Sequence, residues 1–63
     1  MTSLLFARTE TDALVEISTE VNRKIKKGFS FSDCAHDLLA RHGFPAEKRA
    51  GQLAVLAGLI SLQ

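Results

Sequence analysis

Thr9-Glu10-Thr11-Asp12-Ala13-Leu14-Val15-Glu16-Ile17-Ser18-Thr19-Glu20-Val21-Asn22-Arg23-Lys24-Ile25-Lys26-Lys27-Gly28 is the stretch that decides the fold. Leu14, Ile17, Val21 and Ile25 recur at helical spacing, and at about 100° per residue they fall in one narrow stripe. Glu16, Glu20, Arg23 and Lys27 occupy another face. Charge is also sorted along the axis: Glu10, Asp12, Glu16 and Glu20 come first, then Arg23, Lys24, Lys26 and Lys27. Acid at the start and base at the end both complement the helix dipole. Glu20 and Lys24 are spaced for an i,i+4 pair. Thr9 with Asp12 fits a capping box with a short acid, and Gly28 is a natural C′ stop.

Outward from this helix the pattern repeats. Ser30 or Ser32 starts a second helix. Ser30 with Asp33 makes another box, and Phe29 facing Cys34 would form a hydrophobic staple. Phe31, Cys34, Ala35, Leu38 and Leu39 form its buried stripe, with Asp37 and Arg41 paired outside. Gly43 ends it, with His42 in the last turn. Pro45 then opens a third helix at N1, with Glu47 in the first turn. After Arg49 no charged residue occurs. Leu53, Leu56 and Ile60 form one face, Val55, Leu59 and Leu62 a second, and the small residues Gly51, Ala54, Gly58 and Ser61 a third. A helix apolar all round is expected to be buried all round. Gly51 and Gly58 each cost about 1 kcal/mol relative to Ala inside a helix, so another backbone is expected close by. Leu4, Leu5 and Phe6 precede the first helix and are expected to be partly buried. The predicted fold is all-α: a compact bundle of three main helices, about 10–27, 31–42 and 45–62, with an N-terminal arm or short extra helix. One small domain would span 1–63.

Composition agrees. The chain has 63 residues, 46% hydrophobic and 24% charged, with net charge +1, one Cys and one Pro. That length excludes doubly wound and barrel enzymes. The apolar content is too high, and the net charge too low, for intrinsic disorder. Cys34 has no partner for an intrachain disulfide, which points to a reducing compartment and a cytoplasmic location. The first residues lack a basic n-region, so no secretory signal is read. The longest apolar run, Leu53 to Leu62, would rise about 15 Å as a helix. That is half the hydrocarbon core, so no membrane span is expected.

Few residues suggest chemistry. Cys34, His36 and His42, with Asp33 and Asp37 nearby, contain metal-ligating types. On one helix, however, Cys34 points about 200° from His36, and His36 about 120° from His42. Ligands must converge, so no metal and no cofactor is expected. Ser32 and His36 can face each other at i,i+4, but Ser32 is explained as a helix-start residue. The expectation is that the protein is not an enzyme. Lys27, Gly28, Phe29 and Phe31 are similar to part of the RNP1 motif of RNA-recognition domains. The match fails at Ser32 and Cys34, and the motif requires a strand of a four-stranded sheet. A helix-turn-helix over 34–56 would need apolar residues six and nine positions after Gly43, where Arg49 and Gln52 stand.

The remaining candidate site is basic: Arg23, Lys24, Lys26 and Lys27, together with Arg41, Lys48 and Arg49. Lys48 and Arg49 lie in a first turn, against the dipole. If the two groups meet in space, they form a patch for an acidic partner. The leading expectation is a non-enzymatic interaction module, a small regulator or inhibitor that binds another protein or protein complex. Phage-encoded inhibitors of host complexes, anti-CRISPR proteins among them, are comparable by size alone. The alternative is a small nucleic-acid binder with a helix-turn-helix-like arrangement touching phosphates through the basic cluster. No membrane partner is expected, and a homodimer through the C-terminal helix is a further candidate.

Overall fold

The structure is a computed structural model and describes residues 9–63; the expectation for the N-terminal arm falls on residues outside that range. Three α-helices pack against one another: α1 (Glu10–Lys26), α2 (Phe31–Arg41) and α3 (Arg49–Ser61). No strand occurs among the described residues.

The predicted caps are present. The Asp12 backbone N–H donates to Thr9 Oγ1 at 3.0 Å, and that of Asp33 to Ser30 Oγ at 3.3 Å. Each satisfies one of the orphan donors at a helix start. The two glycine stops are Schellman motifs with positive φ, +103° at Gly28 and +85° at Gly43. Gly28 N–H donates to Ile25 O at 2.9 Å and Phe29 N–H to Lys24 O at 3.1 Å. Gly43 N–H donates to Ala40 O and Phe44 N–H to Leu39 O, both at 3.0 Å.

Two short connections reverse the chain twice, so α1 and α3 run parallel with α2 antiparallel to both. Side-chain hydrogen bonds mark that register. Gln52 Nε2 donates to Glu10 Oε2 at 3.0 Å near the start of both helices. Just past the end of α3, Gln63 Nε2 donates to Ser18 Oγ in the middle of α1 at 3.3 Å, and Asn22 Nδ2, one turn further along α1, donates to Gln63 Oε1 at 2.9 Å. The core is Leu14, Ile17 and Val21 from α1, Cys34, Ala35 and Leu39 from α2, and Leu56 from α3. Ile25, Phe31, Leu38, Phe44, Leu53, Leu59 and Ile60 pack around it, half-buried.

The third helix departs from its prediction in three ways. Pro45 is extended and precedes a 3₁₀ turn over Ala46–Lys48, so the α-helix begins at Arg49. Lys48, the last residue of that turn, supplies no side-chain cap to α3. Second, α3 is not buried all round. Only Gln52 and Leu56 are buried, while Val55 is 46% and Leu62 84% exposed. Two neighbouring helices cover only part of a third helix's circumference, whatever its composition. Third, no atom lies within 4 Å of a Cβ built on Gly51 or Gly58, so no backbone approaches either.

Candidate interaction surface

The up-down-up topology sorts the basic residues to opposite ends of the bundle. Arg23, Lys24, Lys26 and Lys27 cap the C-terminal end of α1. Arg41, Lys48 and Arg49 surround the turn between α2 and α3, beside the start of α1. The 17 residues of α1 separate the two groups by about 26 Å. The joint patch is therefore absent, and each end must be judged alone.

At the α2–α3 end little basic charge is free. Arg41 Nε pairs with Asp37 Oδ2 at 3.0 Å, as its spacing predicts. Arg49 is half-buried and acts as a clasp: Nη2 donates to Phe44 O at 3.0 Å and Nη1 to His36 O at 3.4 Å. Lys48 alone is exposed without an ion pair among the described residues. Arg49 and Gln52 do point inward, at the positions a helix-turn-helix fills with apolar groups. The outward residues of α3 are Ala50, Gly51, Ala54, Val55, Ala57, Gly58 and Ser61. Apart from the Ser61 hydroxyl, none carries a polar side chain able to read a base edge.

The α1 end is different. Arg23 pairs with Glu20, replacing the predicted Glu20–Lys24 pair. The hydrogen bond from Arg23 lowers the Glu20 carboxyl from its ordinary value, and Glu20 raises Arg23 in turn. Lys24 Nζ stands 5.6 Å from the centroid of the Phe29 ring, within cation–π range. Lys26 and Lys27 are exposed, with no ion pair among the described residues. Phe29 itself is 57% exposed, so the predicted staple onto Cys34 is not how this ring is used. The cause lies in the Schellman motif, whose C″ residue packs on C3. At the end of α2 that pair is Phe44 on Leu39, and Phe44 joins the core. At the end of α1 it is Phe29 on Lys24, which offers a charge instead of an apolar partner. Phe29 is the surface residue the sequence reading missed, and the identity of its C3 partner was the signal.

The other motifs resolve simply. Phe31 lies on α2 against the core, so the RNP1-like stretch forms no stacking platform. Cys34 is buried, its thiol donating to Phe31 O at 3.6 Å, whereas His36 and His42 are exposed. No group of three metal-ligating side chains converges among the described residues, and no described helix is long and apolar enough to cross a membrane. No family model, curated protein or solved structure matches the chain.

Proposed function

We propose that this chain is a non-enzymatic binding module that docks on another protein through the corner formed by Lys24, Lys26, Lys27 and Phe29. Such docking would act by occupying the partner's surface, as a regulator or inhibitor does. The observation that supports this is the 57% exposed Phe29, with Lys24 over its ring, held on a hydrogen-bonded turn at the lysine-rich end of α1. Aromatic anchors on a fixed backbone dominate protein interfaces, because they bury a large area while losing little conformational freedom. A nucleic-acid partner fits less well. Affinity for nucleic acid is dominated by the phosphates a protein neutralises, and this end offers two unengaged lysines.

The test is capture of a partner from the native host with nuclease-treated controls, comparing the unsubstituted chain with Phe29→Ala and with the double variant Lys26→Glu/Lys27→Glu. Both variants should keep the helical circular dichroism and lose the same captured protein. Undiminished capture by both would reject the corner. Capture abolished by nuclease would favour the phosphate-binding reading.

Self-association through α3 is a second reading. It is favoured by the exposed Val55 and Leu62 beside two glycines with open space over them.

A further inference from the structure

We infer that the Lys24–Phe29 corner is shaped for a short acidic segment of a protein that carries one apolar side chain, seated on Phe29 between carboxylates. The inference rests on the docking role proposed above and adds the partner's chemistry. Three observations carry it. The first is rigidity. Gly28 at φ +103° and the hydrogen bonds from Gly28 N–H to Ile25 O and from Phe29 N–H to Lys24 O pin the backbone that presents the ring. A bound side chain thus meets a surface already ordered.

The second is charge. Among the described residues this end holds Arg23, Lys24, Lys26 and Lys27 against the carboxylates of Glu20 and Asp33. Glu20 is engaged by Arg23, and Lys24 leans over the ring. Lys26 and Lys27 remain as exposed ammonium groups at the same end of α1. The third is extent. The next exposed unpaired cation, Lys48, lies at the far end of α1, roughly 26 Å away by helix rise. A polyanion would find two or three contacts here and no continuing track. Each neutralised phosphate adds about 0.9 to the salt slope of duplex binding, so two contacts leave that mode weak. Two or three carboxylates around one apolar group match both the number of cations and the single ring.

The experiment is a titration of the ¹⁵N-labelled full chain, followed by amide chemical shifts, at fixed ionic strength. Four probes are used: a blocked acidic hexapeptide with one central phenylalanine, the same peptide with alanine in its place, a lysine-flanked phenylalanine peptide, and hexathymidylate. Saturable shifts over residues 24–30 are expected from the first probe. Its affinity should fall about tenfold or more with the alanine peptide, with Phe29→Ala, or with Lys26→Glu/Lys27→Glu. Spectra of both variants should match the unsubstituted chain outside the corner. No shift over 24–30, an equal response to the lysine-flanked peptide, or tighter binding of hexathymidylate would each overturn the inference. If the acidic peptide fails while partner capture still depends on Phe29, the docking role stands and its acidic specificity falls. If capture ignores Phe29 and both lysines, the docking role falls as well.

Discussion

Gln52 is 4% exposed, and only half of its amide is satisfied. Its Nε2 donates to Glu10 Oε2, whereas Oε1 is buried without a partner. Leaving a buried acceptor unpaired costs about 1–3 kcal/mol, while an apolar group of similar shape carries no such penalty. Glu10 is exposed, so water can replace the bond it would lose. Gln52→Leu is therefore expected to stabilise the fold by about 1 kcal/mol, read as a higher urea midpoint with unchanged slope. A lower midpoint would mean that the bond to Glu10 outweighs the orphaned carbonyl oxygen. Nothing in the sequence marks Gln52 as interior, because its neighbours on α3 are apolar on every side. Ser18 was hidden for the opposite reason. Its hydroxyl donates to Val15 O at 2.7 Å within its own helix, so its own proton is satisfied locally, while its oxygen accepts from Gln63 Nε2.

At the scale of the element, the four glycines divide into two pairs with opposite expected effects. Gly28 and Gly43 have positive φ, where a Cβ is strained by roughly 1–2 kcal/mol. Gly51 and Gly58 sit within α3 with open space above them, and alanine is favoured there by about 0.8–1.0 kcal/mol. Gly28→Ala and Gly43→Ala should each lower the thermal midpoint, and Gly51→Ala and Gly58→Ala should each raise it. Destabilisation by Gly51→Ala or Gly58→Ala would reveal a neighbour over α3 in solution. Helix boundaries were readable where a cap demands a residue type: Thr9, Ser30, Gly28 and Gly43 all sit where predicted. The burial of α3 was not readable, since a helix without a polar face gives no clue to which side faces inward. The basic residues were readable as types, but their separation follows from the parallel course of α1 and α3. That course follows from two chain reversals and a shared core in which Leu56 of α3 joins Leu14, Ile17 and Val21 of α1, residues far apart in sequence.

For the whole molecule, the decisive fact is that α3 is held by one fully buried leucine with Leu53, Leu59 and Ile60 half-buried around it. Leu56 is its one fully buried apolar side chain, and the rest of the core belongs to α1 and α2. A domain of this size has roughly 3–9 kcal/mol of stability at about 0.05–0.15 kcal/mol per residue. Truncating a buried leucine to alanine costs about 2–5 kcal/mol, and an aspartate there would also strand a charge in the core. Leu56→Asp should therefore abolish the cooperative transition. Val55→Asp, one residue away and on the exposed side, should leave the monomer folded. The same pair tests self-association, because a charge at Val55 cannot be buried against a second copy without a large penalty. If α3 pairs between copies, sedimentation will show the unsubstituted chain dimerising as its concentration rises, and Val55→Asp will remain a folded monomer. A monomer at every concentration would remove the second copy. Unfolding by both substitutions would show that the outer face of α3 is covered within a single chain, which would restore the all-round burial its composition suggests.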